Sequence, residues 1–454
     1  MTLYEEVMQY LENNNVQSLK EVVNEANNLD IIQLIDDIPP EQWIVLFRLL
    51  NKEKALEVFE ILDTNLQQKL ISMFREERAV EIFSQMEPDD RARLLDELPA
   101  RVAKKLLSSL SKEDRYKTSI LMGYSPETAG RIMTPEYVRL RRDQTAQEAL
   151  ENIRRQGKDK EMVYTLYVTD ATRKLEGVVS LRELIIASPE QKVEEIMTEK
   201  VMSVTTETDQ EEVARLLQDL DLLAVPVVDR EDRLVGIITI DDAVDVLEQE
   251  TTEDIFDKVG LTSFASQESG RSQRLVSGSI FEVWKIRIPF LIITLIGGLL
   301  AGAVIDAYEE TLEAIAAVAI FIPVIMDMGG NIGTQSSTIF TRAFVLGHIN
   351  VKKFASHWLR EVAIGLSIGA LMGVAAGIIA SLWQQEPNFG YAVGISLTLT
   401  ITLATALGYL VPFILVRMGF DQAAGSDPFI TTIKDISGLF IYFFFVSVFL
   451  GHML

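Results

Sequence analysis

Three aspartates fall within or beside long apolar segments, where a charged side chain is rare and usually functional. Asp327 precedes the motif GGNIGTQSS, and Asp427 and Asp435 belong to the segment SDPFITTIKDISGLFIYFFF. Thr431 adds a hydroxyl between the two later aspartates. Rings of carboxylates of this kind select cations, so the segment has the groups needed to line a cation path. The alternative is that Lys434 and Asp435 only mark a helix end at the membrane surface.

The motif GGNIGTQSS supplies neutral oxygen ligands together with glycines. Asn331, Thr334 and Gln335 carry the polar atoms, and the glycines allow neighbouring helices to approach closely. Packing of small residues alone would explain the glycines, but it explains Asn331 less well. We therefore expect Asn331 to line the same path as the aspartates.

A second group of acids lies outside the apolar segments, just before them in the chain. The stretch from 241 to 257 contains no basic residue and eight carboxylates: Asp241, Asp242, Asp245, Glu248, Glu250, Glu253, Asp254 and Asp257. The spacing within this run is helical. A run of like charges is usually a solvated face, and that is the alternative here. Its position directly before the apolar segments favours cation sensing.

Two soluble regions must position these groups. Residues 1–130 have helical periodicity with prolines at helix starts, which predicts an all-α superhelical domain. Residues 131–248 contain an internal repeat, and each copy begins with Ile-Met-Thr, at Ile132 and at Ile196. Each copy then alternates short β-branched strands with amphipathic helices. Tandem copies of this kind resemble a pair of α/β CBS domains.

The rest of the chain is predicted to form a connecting segment and a membrane-spanning domain. Residues 249–283 form an acidic connecting helix and linker, and residues 284–454 contain five apolar runs. Because a span needs about 20 apolar residues, these runs predict an α-helical transmembrane bundle of five helices. The distribution of basic residues between the runs predicts a cytosolic N-terminus and an external C-terminus. We therefore expect a multi-pass protein of the cytoplasmic membrane, in contact with lipid.

Composition narrows the function further. The net charge of −24, from 66 acidic and 42 basic residues, argues against nucleic acid as a partner. Cysteine is absent and histidine occurs three times, which argues against zinc, copper or nickel. The N-terminus has no signal-peptide pattern, so the soluble regions are expected in the cytosol. No Gly-x-x-x-x-Gly-Lys-Ser/Thr loop occurs, so no ATP-driven pumping cycle is predicted. We expect a transport protein and no enzyme.

The order of these regions, together with GGNIGTQSS and IKDISGLFIY, resembles the MgtE family of magnesium transporters and channels over essentially the whole chain. The resemblance implies a homodimer whose pore is lined by the second and fifth membrane helices. Asp435 then matches the family's ion-binding aspartate and Asn331 its pore asparagine. It also implies cytosolic Mg²⁺ sites at these acids: Asp209, Glu211, Asp221, Asp242, Asp245, Glu250, Glu253 and Asp254, with Asp421 at the cytosolic mouth of the pore.

Two positions depart from the family pattern. Gln422 stands where a proline is familiar, which puts the conformation of that loop in doubt. Asp427 stands where a neutral pore residue is more usual, and its charge would strengthen cation attraction at the inner mouth. The sequence does not decide whether Asp327 faces the pore or a neighbouring helix.

Magnesium also fits these residues on chemical grounds. Mg²⁺ is a hard ion that prefers oxygen ligands and dehydrates reluctantly, so a few well-placed acceptors suffice for a hydrated ion. We predict a passive Mg²⁺-selective channel or transporter that high internal Mg²⁺ closes, because bound cations relieve repulsion among the acids. A non-conducting membrane sensor and a transporter of Co²⁺ or Ca²⁺ are the alternatives.

ATP is an open second ligand. CBS pairs commonly bind adenine nucleotides through a Thr and an Asp of the GIITIDD type. Thr239 and Asp242 hold those positions, and Arg182 is placed to meet a phosphate. The first copy has Ser180 and Glu183 instead, so the sequence does not decide whether ATP binds.

Overall fold

The computed structural model describes residues 3–12, 16–62, 64–261, 275–276, 278–418 and 426–453. The chain forms two compact units. The first is essentially Met1–Glu250, and the second runs from Thr251 to the end of the chain.

The described residues up to Leu121 form ten helices of ten residues each, which confirms the all-α domain. They are α1 (Leu3–Glu12), α2 (Val16–Glu25), α3 (Asn28–Asp37), α4 (Pro40–Leu49), α5 (Lys52–Ile61), α6 (Thr64–Met73), α7 (Glu76–Gln85), α8 (Pro88–Glu97), α9 (Ala100–Ser109) and α10 (Lys112–Leu121). Pro40 and Pro88 occupy first-turn positions, where the missing N–H costs nothing. Asn51 caps α5 through its side-chain oxygen. The apolar faces share one core that includes Phe59 and Phe83.

The repeat forms two small sheets of identical topology, as expected for a CBS pair. In each sheet the first strand pairs in parallel with the second, and the second pairs antiparallel with the third. The elements in order are α11 (Ala129–Ile132), β1 (Tyr137–Leu140), α12 (Ala146–Gln156), β2 (Met162–Thr169), β3 (Leu175–Ser180), α13 (Leu181–Ile186), α14 (Val193–Ile196), β4 (Val204–Thr205), α15 (Gln210–Asp219), β5 (Ala224–Val228) and β6 (Leu234–Thr239).

Each copy packs one methionine against a glycine of the other copy. A methyl group placed on Gly236 of the second copy would lie 2.6 Å from Sδ of Met133 in the first copy. A methyl group on Gly177 of the first copy would lie 2.7 Å from Sδ of Met197 in the second. The glycines therefore provide the space into which the repeated Ile-Met-Thr segments pack.

One helix, α16 (Ile240–Lys258), carries the acidic run. It begins directly after β6. It continues without a break because no proline or glycine occurs between Ile240 and Lys258. The acidic residues therefore share a single helix that starts inside the repeat. The boundary between the two compact units falls within this helix, after Glu250.

The second unit contains the apolar helices. Among the described residues, five are long and apolar enough to cross a membrane by length and composition: Val283–Asp306, Ala316–Val345, Phe354–Gln384, Pro387–Arg417 and Ser426–Leu450. This confirms the predicted number of spans. The α-helical elements are α17 (Ile280–Asp306), α18 (Glu309–Ala314), α19 (Ile322–Val345), α20 (Phe354–Gln384), α21 (Pro387–Arg417) and α22 (Ser426–Leu450).

Helices α20 and α21 form a hairpin in which backbone meets backbone. A methyl group on Gly377 would lie 2.7 Å from the carbonyl oxygen of Gly390, and one on Gly394 would lie 2.8 Å from that of Gly373. Thr398 of α21 donates a hydrogen bond from Oγ1 to the Gly369 carbonyl of α20 at 3.0 Å. Small residues therefore let these two helices approach closely.

Candidate functional site

Asp435 lies on the third turn of α22, and apolar sequence follows it for four turns. Its side chain is 23% exposed although the helix around it is apolar, but Oδ1 itself is buried, so the carboxylate is accessible only in part. Oδ1 of Asp435 accepts no hydrogen bond from the residues that the structure describes. A partly accessible carboxylate at this depth of an apolar helix is the strongest feature of the second unit for binding a cation.

Lys434 is buried beside it, with 5% of its side chain exposed. Its Nζ donates a hydrogen bond to the carbonyl oxygen of Met326 in α19 at 2.6 Å and lies 2.5 Å from Oδ1 of Asp435. The second contact lacks hydrogen-bond geometry and is therefore an ion pair. Lys434 thus does not extend from an exposed helix end, and its ammonium joins α19 to α22.

Asn331 and Asp327 lie one turn apart on α19, and both side chains are exposed. Nδ2 of Asn331 donates a hydrogen bond to Oδ2 of Asp327 at 3.3 Å. Asp327 therefore orients the amide, and the amide oxygen of Asn331 points away as an acceptor. Asp327 thus serves as the hydrogen-bond acceptor for Asn331. The sequence did not decide what Asp327 faces.

The first turn of α22 forms a second polar site. Thr431 uses its hydroxyl hydrogen within the helix, donating to the carbonyl of Asp427 at 2.9 Å. Lys258, the last residue of α16, donates to Oγ1 of Thr338 on α19. Burial lowers the pKa of Lys258 more than the charge of Asp427 raises it. The predicted mouth residue Asp421 lies outside the described residues.

In the first unit, Arg93 of α8 gathers the acids at the start of α16. Its guanidinium lies 3.0 Å from Oδ1 of Asp242 and 3.1 Å from Oδ2 of Asp245, with Asp90 at 3.7 Å. Thr239 donates to Oδ2 of Asp242 at 2.8 Å. Burial raises the pKa of Asp242 to about 6, although Arg93 opposes that rise. Arg93 therefore holds the start of the acidic helix against the all-α domain.

Beside Arg93 lies a carboxylate cluster that sequence reasoning missed. Glu87, Asp89 and Glu161 each place a carboxylate oxygen within 4.8 Å of the others. Asp89 is 5% exposed, and its Oδ1 accepts no hydrogen bond from the described part of the chain. Burial raises the pKa of Glu87 to about 7, and burial with the neighbouring Glu87 raises that of Glu161 to about 9. Buried carboxylate oxygens that converge in this way are suited to a divalent cation.

A signal for this cluster was present in the sequence. The segment EPDDRARLL places three acids within four residues, beside a proline that marks a helix start. Glu161 directly precedes β2 (Met162–Thr169) of the first repeat copy.

Three of the predicted sensing acids meet at the other end of the repeat. Glu250 accepts a hydrogen bond from Nε2 of Gln210 at 2.6 Å. Burial raises the pKa of Glu250 to about 7, and the charges of Glu211 and Asp209 add to the rise. Asp209 also caps α15 by accepting from the backbone N–H of Glu211 at 2.9 Å.

The remaining predicted acids lie elsewhere. Asp221 occupies the turn after α15 with φ of +50°. Its carboxylate makes no ion pair or side-chain hydrogen bond within the described part of the chain. Glu253 and Asp254 are half-buried on the later turns of α16.

The candidate nucleotide residues differ in setting. Thr239 is 1% exposed and also donates to Oε1 of Glu161 at 3.2 Å. Arg182 is exposed on α13. Ser180 and Glu183, which replace the Thr and Asp in the first copy, form the capping box of α13. Their polar atoms therefore serve the helix terminus.

Comparison with known proteins decides the family. Sequence profiles match for the MgtE intracellular N domain at residues 26–127, for the CBS domain at 129–190 and 193–249, and for the MgtE divalent cation transporter at 322–445. The magnesium transporter MgtE of Thermus thermophilus is 36% identical over 438 residues, 95% of either chain. The chain belongs to the MgtE family.

Other relatives agree. The magnesium transporter MgtE of Bacillus subtilis (strain 168) is 36% identical over 334 residues, 74% of this chain and 72% of the relative. A crystal structure of the cytosolic domain of the Mg²⁺ channel MgtE in complex with ATP is 40% identical, with a TM-score of 0.51 over 54% of this chain and 99% of that one. The helical N domain and CBS pair of this MgtE-family protein are thereby confirmed.

Proposed function

We propose that this chain is a Mg²⁺-selective channel or transporter of the cytoplasmic membrane that works as a homodimer and is closed by cytosolic Mg²⁺. One observation carries the proposal. Asp435 is an accessible carboxylate on an apolar helix, in a chain 36% identical over 95% of its length to a magnesium transporter. Transport is passive, because the sequence has no ATP-hydrolysing loop.

In the proposed pore, two protomers bring their Asp435 carboxylates to one axis. A largely hydrated Mg²⁺ binds there through its water, because dehydrating this ion is costly. The amide oxygen of Asn331 accepts from the same water shell, held in orientation by Asp327. Asp427 and the lone pairs of Thr431 attract the ion at the inner mouth.

Cytosolic Mg²⁺ closes the pore by relieving repulsion among the acids of the first unit. Two carboxylates 4 Å apart repel by about 4 kcal/mol at an effective dielectric of 20. Full switching needs about 5.5 kcal/mol of differential binding, which several weak sites can supply together. The proposed sites are the acids around Arg93, the cluster of Glu87, Asp89 and Glu161, and the group of Asp209, Glu211 and Glu250. Asp221, Glu253, Asp254 and Asp421 are proposed to add to them.

Helix α16 supplies the connection between sensing and transport. It carries Asp242 and Asp245 on its first turns and ends at Lys258, whose ammonium bonds Thr338 of the pore helix α19. A change in how the acids pack is therefore transmitted along one continuous helix. The proposal includes a cytosolic N-terminus and an external C-terminus, which the distribution of basic residues between the apolar runs supports.

ATP is proposed as a modulator at the CBS pair, with Thr239 contacting ribose and Arg182 a phosphate. The support is the 40% identity to a cytosolic domain whose structure contains ATP. Binding of a fluorescent ATP analogue to the full-length protein tests this proposal. Arg182→Ala should weaken binding, whereas Arg141→Ala, at an exposed surface ion pair, should not.

Flux into liposomes tests the main proposal. Purified protein should admit Mg²⁺ to vesicles loaded with a Mg²⁺ dye, and Asp435→Asn should reduce the rate about tenfold or more while the dimer stays folded. Asp306→Asn, at an exposed acid of α17, is the matched control and should transport normally. An inactive parent protein would favour a membrane sensor. Transport of Ca²⁺ or Co²⁺ at the same rate as Mg²⁺ would contradict selectivity for Mg²⁺.

A further inference from the structure

We infer that Lys434 is a positioning residue that sets the charge of the ion site at Asp435. The inference rests on the proposed function, in which Asp435 is the pore carboxylate. Its basis is an ammonium-bearing side chain that is only 5% exposed between two pore helices and lies 2.5 Å from that carboxylate. Nothing in the order of domains or in the cytosolic acids requires a lysine there.

A buried ammonium is costly unless it is paired and hydrogen-bonded. Lys434 has one partner on each helix: the carbonyl oxygen of Met326 on α19 and Oδ1 of Asp435 on α22. The carbonyl of Met326 belongs to the first turns of α19, directly before Asp327. Lys434 is therefore anchored in the group of polar residues assigned to the ion path.

The glycine pair of GGNIGTQSS makes room for the lysine. A methyl group on Gly330 would lie 3.0 Å from Nζ of Lys434, and one on Gly329 would lie 3.4 Å from its Cδ. The side chain thus runs across these two glycines to reach Met326. This gives the glycines a role beyond close packing of helices, because they border the path of a charged side chain.

The consequence for ion binding follows from the charges. Asp435 and Lys434 together are neutral, so a cation entering the site meets two dipoles across the dimer and not two bare negative charges. Conduction requires binding that is strong enough for entry and weak enough for release. Lys434 weakens binding and holds Oδ1, which leaves Oδ2 of Asp435 to accept from the water shell of the ion.

The test compares three substitutions in the same liposome assay over a range of Mg²⁺ concentrations. Lys434→Met removes the charge and keeps the length of the side chain. We expect the half-saturating Mg²⁺ concentration to fall about tenfold and the maximal rate to fall with it, because release becomes slow. Lys434→Arg keeps the charge and should restore the half-saturating concentration to within about twofold of the parent. Lys352→Met, at an exposed lysine of the same unit, should change neither quantity.

The outcomes separate this inference from the proposed function. A lysine that only anchors two helices would lower the maximal rate of Lys434→Met and leave the half-saturating concentration unchanged, which would overturn the inference. If Lys434→Met does not yield a folded dimer, Lys434→Gln removes the charge while keeping a polar donor, and the same shift is expected. If Asp435→Asn abolishes flux and neither variant shifts the half-saturating concentration, the pore assignment stands and only the role of Lys434 fails. Normal flux in Asp435→Asn would contradict the pore assignment itself.

Discussion

The guanidinium of Arg93 and the carboxylate of Asp242 form an ion pair of 3.0 Å that joins α8 of the N domain to the first turn of α16. Burial lowers the pKa of Arg93, but Asp90 and Asp242 raise it more, so the residue stays charged. Its single positive charge stands among four carboxylates, those of Asp89 and Asp245 included. Ions from solution can therefore relieve repulsion that Arg93 leaves in place.

Replacing Arg93 should make the N domain dependent on Mg²⁺. We expect Arg93→Gln to weaken its contact with α16 by about 1–2 kcal/mol in Mg²⁺-free buffer, less than for a fully buried pair because the side chain is 38% exposed. Limited proteolysis should be faster without Mg²⁺ and return to the parent rate with it. Arg141→Gln, in a surface pair with Asp143, is the control. Equal proteolysis of Arg93→Gln and the parent without Mg²⁺ would contradict the role of Arg93.

Neutralising Asp242, Asp245, Glu250, Glu253 and Asp254 together should change gating and leave ion selectivity unaltered. Removing these charges removes both the repulsion and the bridging by Mg²⁺, so the dependence of opening on internal Mg²⁺ must shrink. Single-channel recording over a range of internal Mg²⁺ measures this directly. A variant that closes at the parent concentration and with the same steepness would reduce the acidic run to a solvated face.

The cluster of Glu87, Asp89 and Glu161 should make the stability of the first unit depend on pH. The pKa values of Glu87 and Glu161 in the folded protein, about 7 and about 9, lie above the usual 4.5. The folded state therefore holds protons that the unfolded chain has lost, and stability falls as pH rises from about 5 to about 9. Mg²⁺ replaces the protons and should reduce the fall.

Thermal unfolding of the first unit at several pH values, with and without Mg²⁺, checks this expectation. The double substitution Glu87→Gln with Glu161→Gln should flatten the pH dependence, because the titrating groups are gone. A midpoint that falls equally with and without Mg²⁺ would show that the cluster does not bind the ion.

In the proposed gating mechanism, Lys258 holds the end of α16 against α19 in the closed state. Lys258→Gln removes an ammonium that bonds Thr338 and is attracted by Asp427. We expect the internal Mg²⁺ concentration needed for closure to rise about threefold, the size of effect expected for one partly exposed ionic contact. Lys285→Gln, on an exposed position of α17, should close as the parent does. An unchanged closing concentration in Lys258→Gln would dissociate this contact from gating.

Gly236→Ala should destabilise the CBS pair by about 1–3 kcal/mol. The added methyl group would lie 2.6 Å from Sδ and 3.0 Å from Cβ of Met133, so the main body of that side chain must move. Met133→Ala in the same background should recover part of the loss, which thermal unfolding of both variants can measure. The absence of any recovery would place the strain elsewhere.

The sequence predicted what depends on local pattern. Helix starts at prolines, the doubled Ile-Met-Thr and the run of acids on one helix are periodic signals, and each corresponds to an element of the fold. Asp435 stood out because a carboxylate in an apolar segment is unusual in any fold. The extent of α16 was less clear, since the acidic run continues from the repeat into the linker without any change in composition.

Contacts between distant parts of the chain were not predictable in this way. Glu161 joins Glu87 only because the repeat docks on α8, 74 positions earlier in the chain. Lys434 lies beside the candidate pore residue Asp435, but the role of Lys434 depends on its hydrogen bond to the carbonyl of Met326, 108 positions away. Neither local hydrophobicity nor charge spacing encodes such pairs, because they result from how separate helices pack.

The hairpin of α20 and α21 limits where the membrane domain can change shape. At Gly373 and Gly394 an added methyl group would meet the main chain of the other helix, so little side-chain material separates the two helices, although the short side chain of Thr398 lies at the same contact. Sliding one helix past the other would drive carbonyl oxygens into Cα atoms, so the hairpin moves as a rigid frame. Widening or narrowing of the proposed ion path would then be taken up by α19 and α22, the two helices whose mutual contact includes the long side chain of Lys434.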